Sequence, residues 1–154
     1  MLKFKELGNY KNAVNVGFCA AEVVLHNGMV VEFNKKTKKA KLPTSATAAG
    51  LAIVMNIIDK PEIANPNDYT IEVGEYPRLF ILESLKDRMI SMDCDQVTTS
   101  YASIDVDDVL IPNTSGKWEV ASSSTSSYPF VLKVLEKNNF GGEGEGLLVQ
   151  VVTG

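Results

Sequence analysis

Histidine, tryptophan and cysteine are scarce in this chain of 154 residues, which has one, one and two of them. With His26 as the sole imidazole, a hydrolytic triad would need it as the base. No serine sits in a G-x-S-x-G elbow, and neither Cys19 nor Cys94 lies in a catalytic-cysteine context. One histidine and two distant cysteines make no recognisable closed zinc site. The two cysteines are also too few for a disulfide framework. They read as reduced and buried, with a single Cys19–Cys94 disulfide as the open alternative.

Long apolar runs are equally lacking. The longest nearly uncharged one, residues 46–58, is too short to span a bilayer as a helix and contains Gly50 and Asn56. The start, MLKFKELGNYKNA, has no apolar run after its lysines, so no signal peptide is expected. The expectation is a soluble chain made in a cytoplasm. A net charge of −4 argues against a nucleic-acid coat. Phosphate-loop chemistry is missing too. The glycine-rich 141–146 (GGEGEG) carries two glutamates, lacks a Gly-Lys-Ser/Thr ending and reads as a hairpin loop.

What is present is a series of strand signals. Residues 104–120 (IDVDDVLIPNTSGKWEV) form the clearest hairpin candidate, with Pro112–Gly116 as an exposed tip and Trp118 packed on the sheet face. Strands are also predicted at 18–25, 29–33, 40–43, 50–58, 69–73, 78–82, 89–92, 128–136 and 147–152. Asn27-Gly28 is the strongest turn dipeptide. A short helix over 45–55 is the alternative to the 50–58 strand, because a continuous apolar run has no diagnostic period. Signals recur every ten to fifteen residues without amphipathic helices between them. The fold class expected is mainly β, an antiparallel β-barrel or β-sandwich with long loops. Residues 1–17 read as an N-terminal arm or lead-in, and 18–154 as a single β-rich domain.

Two charge clusters stand out. Lys35, Lys36, Lys38, Lys39 and Lys41 fall within seven residues. They suit a solvated hairpin tip that blocks edge pairing, or an electrostatic contact with an acidic protein surface or nucleic acid. No aromatics are interleaved, which weakens the nucleic-acid version. Lys35, Lys36, Lys38 and Lys39 are the partner-binding candidates. The acidic cluster comprises Asp93, Asp95, Asp105, Asp107 and Asp108. It lacks EF-hand spacing, and on a strand Asp105 and Asp107 would share a face, open to solvent or to a shared cation. No catalytic residue, cofactor or metal ligand is assigned, and no enzyme activity is expected.

The order of segments resembles the capsid decoration (cement, or head-stabilising) proteins of tailed bacteriophages. The features that carry this are a strand at 18–25 followed by NGMVVEF, then AAGLAIVMN, YTIEVGEYPRLFIL and DVDDVLIPNTSGKWEV, followed by YPFVLKVLEKNNFGGEGEGLLVQVV. Together they span residues 18–152. The resemblance implies a virion structural protein on the capsid exterior, made in the host cytoplasm. Its partner would be the major capsid protein, and a homotrimer is the favoured oligomer. No membrane and no direct nucleic-acid contact are implied. The alternatives are another virion β-module (head fibre base, tail or baseplate component) or a carbohydrate- or calcium-binding module using Trp118 and the acids. Relatives often show Val-Gly-Asp before the late hairpin, whereas this chain has Val106-Asp107-Asp108. Aspartate tolerates a positive φ less well than glycine.

Overall fold

The computed structural model describes residues 2–4, 13–58, 62, 68–139 and 144–154. The strand signals become two six-stranded sheets. In chain order the strands are β1 Leu2–Phe4, β2 Asn15–Val16, β3 Ala20–Ala21, β4 Val30–Asn34, β5 Lys39–Lys41 and β6 Ala52–Val54. They continue with β7 Leu79–Ile81, β8 Met89–Asp93, β9 Val109–Pro112, β10 Trp118–Val120, β11 Val131–Asn139 and β12 Glu145–Val152. The first sheet has the order β1-β8-β12-β11-β9-β10 and the second β2-β7-β6-β4-β5-β3. Neither closes on itself, so the fold is mainly β and a sandwich rather than a barrel. Helix among the described residues is limited to short 3-10 segments such as Leu82–Leu85 and Tyr101–Ser103. The 45–55 helix does not form.

The second sheet is covered on both faces, and its sequence shows why. Val30, Ile53 and Phe80 point into a core shared with Ile90, Leu110, Trp118, Leu132 and Val149 of the first sheet. Their neighbours Val31, Ala52, Val54 and Leu79 point the other way, into a second cluster with Cys19, Ala21, Leu25, Tyr69 and Ile71. A strand with both faces buried reads as an unbroken apolar run. All three residues of β6 are buried accordingly.

That second cluster corrects two strand assignments. Only Ala20 and Ala21 of 18–25 join a sheet, and 69–73 contributes a single bridge, Ile71 to Leu25. Both segments lie as a lid of irregular chain, spending their apolar side chains on the outer face of the second sheet. The Asn27-Gly28 turn forms, with Gly28 at φ +94°, but it closes no hairpin, since β4 pairs with β5 and β6.

The two sheets are fastened to each other by the late hairpin. β9 and β10 pair antiparallel, Trp118 opposite Pro112. Asn113 Oδ1 accepts from the backbone N–H groups of Ser115 and Lys117, at 3.0 Å each, and shapes the turn. Pro112–Gly116 is not an exposed tip, because only Thr114 and Ser115 face solvent. Gly116 (φ +74°) is buried, and its carbonyl accepts from Val30 N–H of the second sheet at 2.8 Å. Trp118 is fully buried, and its Nε1–H donates to the Gly28 carbonyl at 3.0 Å. A buried indole gains large apolar burial but leaves its N–H in need of a partner. Here the Asn-Gly turn supplies that partner. Behind Trp118, residues 96–99 run alongside β10, with Gln96 O and Trp118 N–H bonded at 2.8 Å. This covers what would otherwise be an open sheet edge.

The expected N-terminal arm is partly drawn into the sheets. β1 adds antiparallel to β8, and β2 to β7. Residues 5–12 lie outside the described residues. β11 and β12 form the longest hairpin, with a bulge between Val134 and Glu136; residues 140–143 at its loop are also outside the described set. Among the described residues no helix is long and apolar enough to cross a membrane.

Candidate interaction surface

The lysine run folds as the sequence predicts, into the β4–β5 hairpin. Asn34 pairs with Lys39, and Glu32 with Lys41. Asn34 Oδ1 accepts from Lys36 and Thr37 N–H, at 2.9 and 3.1 Å, so an Asx turn reverses the chain. Lys38 takes the left-handed position, φ +54°. Lys35, Lys36, Lys38 and Lys39 are all exposed, and among the described residues none of them forms a salt bridge. Lys41 differs. It stands 3.8 Å from Glu32, whose carboxylate also accepts from Thr44 Oγ1 at 2.6 Å and Thr44 N–H at 3.0 Å. These Thr44 hydrogen bonds, with Lys41 a smaller influence, hold the Glu32 carboxyl below its usual pKa.

The hairpin does not stand alone. Ala20 N–H donates to Lys38 O, and β3 runs parallel to β5, Ala20 beside Lys39. Ala21 N–H in turn donates to Glu75 O, and Gly74 N–H donates to Ala21 O. Segments 18–25, 34–41 and 71–76 are therefore stitched into one margin of the second sheet. This margin exposes large apolar side chains: Phe18 (46%), Val24 (43%), Val73 (62%) and Tyr76 (64%). Sequence reasoning missed them. Phe18, Val24 and Val73 sit in segments that read as strands, where their partners' burial suggested their own. The one available signal was the Gly74-Glu75-Tyr76-Pro77 break, which puts an aromatic in a turn.

The other candidates disperse. Asp105 and Asp107 are not on a strand but in a turn. Asp108 Oδ2 accepts from Asp105 N–H at 2.8 Å, Asp107 N–H donates to Val134 O at 2.9 Å, and Asp107 pairs with Lys133 at 2.9 Å. Asp107 holds φ +74°, in the left-handed region. The acids thus organise the approach to β9 beside the β11 bulge. Asp93 is bonded locally, accepting from Asp95 N–H at 3.3 Å. Among the described residues no three His, Cys, Asp or Glu side chains group so as to hold a metal ion.

Trp118, fully buried, offers no stacking face to a sugar. His26 is half-buried beside the Asn27-Gly28 turn. Both cysteines are free thiols, which removes the Cys19–Cys94 disulfide. Burial raises the pKa of Cys19. Cys94 is pushed up to about 11, by burial first and then by the Glu145 and Asp95 carboxylates. Lys137 Nζ is spent internally. It donates to Tyr101 O at 2.8 Å and Ile104 O at 2.6 Å and lies over the Tyr101 ring.

Comparison with known proteins finds no matching family model and no matching curated protein.

Proposed function

We propose that the chain is a non-enzymatic virion structural protein that binds the outer surface of an assembled phage capsid and stabilises it. The observation that carries this is the margin just described. Four exposed large apolar side chains lie on segments hydrogen-bonded, directly or through Ala21, to a hairpin whose Lys35, Lys36, Lys38 and Lys39 form no salt bridge among the described residues. Exposed apolar area rimmed by charge is the composition of a protein-binding face. The order of its strand segments, which resembles that of phage decoration proteins, points to a capsid shell as the surface bound. The partner is then the major capsid protein, and the working form on the virion exterior is an oligomer, a trimer by the same resemblance.

Such a protein stabilises by binding, without chemistry. A module that contacts only the assembled shell shifts the equilibrium between shell and free subunits toward the shell by mass action. Many copies on one particle multiply a modest contact. Purified chain mixed with undecorated shells of the cognate phage should bind saturably and raise their thermal disruption temperature. Absence of binding to those shells would overturn the proposal.

A further inference from the structure

We infer that the margin built from residues 18–25, 34–41 and 71–76 is the docking face itself, and that it takes an acidic protein surface with an apolar centre. This rests on the shell-binding function proposed above and names the chemistry of the partner's face.

Charge distribution favours that occupant. The chain carries a net −4, yet five lysines sit within residues 35–41. Removing those five from the count leaves −9 for the remainder. The net charge of the remainder would therefore oppose approach to an acidic surface, and the β4–β5 tip, the densest run of lysines in the sequence, would be drawn to it. The same field that speeds encounter also orients it, tip first. Lys35, Lys36, Lys38 and Lys39 are free to serve, since among the described residues they form no internal ion pair. Lys41, paired with Glu32, is not.

The apolar part follows from the backbone. Phe18 lies two residues before Ala20, which is bonded to Lys38. Val73 and Tyr76 flank the Gly74–Glu75 pair that is bonded to Ala21. Phe18 and Val24 thus lie on a segment bonded to the hairpin, and Val73 and Tyr76 on a segment bonded to that one, so all four sit on elements next to the tip. Exposed acids occur here as well: Glu22, Glu72 and Glu75. They give the face a register, because a partner must set its acids against the lysines and keep them from the glutamates. Nucleic acid is the less favoured occupant. It offers no apolar surface for Phe18, Val24 and Val73, and the chain's other charge opposes it.

The test measures binding to undecorated shells of the cognate phage at low and high salt. Wild type should lose at least about tenfold in affinity between ~50 and ~300 mM salt, because exposed charge pairs are screened over that range. The triple variant Lys35→Glu/Lys36→Glu/Lys39→Glu should bind at least about tenfold more weakly at low salt and lose most of the salt dependence. Phe18→Ser/Tyr76→Ser should weaken binding while keeping the wild-type salt slope. Unchanged unfolding midpoints confirm that the variants fold. If wild type binds and the triple variant binds equally with the same slope, the docking face lies elsewhere and this inference is wrong, while shell binding stands. If wild type does not bind, the function proposed above fails and takes this inference with it. A gel shift with DNA or RNA that is lost in the triple variant would assign the face to nucleic acid and overturn the inference.

Discussion

Gly116→Ala should be among the most destabilising single-methyl additions to this protein, and Gly50→Ala supplies its control. Both glycines are left-handed, φ +74° and +79°. Alanine in that conformation costs about 1–2 kcal/mol. Reduced freedom of the unfolded chain returns about 0.4–1 kcal/mol of this. At Gly50 nothing lies within 4 Å of the added methyl, so a net loss of about 1 kcal/mol is expected there. At Gly116 the methyl would lie 2.9 Å from the Val30 carbonyl oxygen, 2.9 Å from Leu42 Cδ2 and 3.0 Å from Met29 Cε. Side chains can yield, but the Val30 oxygen belongs to a strand backbone. Overpacking adds about 1–3 kcal/mol, and weakening the Val30 N–H to Gly116 O bond adds about 1 kcal/mol. The total for Gly116→Ala is roughly 3–5 kcal/mol. For a chain of this size that lowers Tm by roughly 6–20 °C, against a few degrees for Gly50→Ala. Urea unfolding followed by fluorescence of Trp118, the only tryptophan, reads both variants at the hairpin itself. Equal midpoints for the two variants would refute the fastening of the sheets through Gly116.

Three other outcomes follow from the same structure. Trp118→Phe should cost about 2–4 kcal/mol, because it opens space in the core and strands the Gly28 carbonyl; circular dichroism under urea checks it, and a loss below about 0.5 kcal/mol would contradict the bond's role. Glu32 has a folded pKa below its ordinary 4.5, so its contribution is fully present above that pH and is lost as pH falls through the folded value. The stability gap between wild type and Glu32→Gln, less than about 1 kcal/mol at neutral pH, should narrow in urea titrations as pH falls below 4.5 and vanish once it is below the folded pKa. With Cys94 pushed up to about 11 and Cys19 buried, iodoacetamide at pH 8 should meet about one thiolate in a thousand at Cys94. Cys94 is only partly buried, not buried as expected; mass spectrometry should find both thiols unlabelled in the native protein and both labelled in urea, and rapid native labelling of Cys94 would count against its raised pKa.

Fold class was legible because the strongest local signals agree with the tertiary pairing. The β4–β5, β9–β10 and β11–β12 hairpins each pair segments that are neighbours in the sequence, separated by polar or glycine-rich stretches. Failures came where apolar residues serve as cover rather than as ladder. Residues 18–25 and 69–73 have strand composition, yet Cys19, Leu25 and Ile71 are used to roof the second sheet. No local period distinguishes a roof from a strand. Asn27-Gly28 misled for a different reason. Its turn forms, but its carbonyl answers an indole 90 positions away, a demand that no short window contains. The acids 105–108 looked like a strand face because Asp107 was not expected to hold a left-handed φ. As for the surface, the lysines were legible as a charge run, whereas the exposure of Phe18, Val24, Val73 and Tyr76 depends on which side of the roof each lands.

The bond between Trp118 and Gly28 also sets a schedule for synthesis. Gly28 and Val30 reach the ribosome exit 90 or so residues before their partners Trp118 and Gly116. At translation rates of about 5–20 residues per second, the early sheet waits on the order of 5–20 s for the segment that completes it. During that interval the inner faces of β4, β6 and β7 have no opposing layer. Chains rich in such distant pairings fold late and slowly. Because β11 and β12 lie between β8 and β9 in the opposing sheet, nascent chains arrested anywhere before β12 has emerged should be protease-sensitive and held by chaperones, and release of the whole chain should convert them together, in one step, to the resistant form.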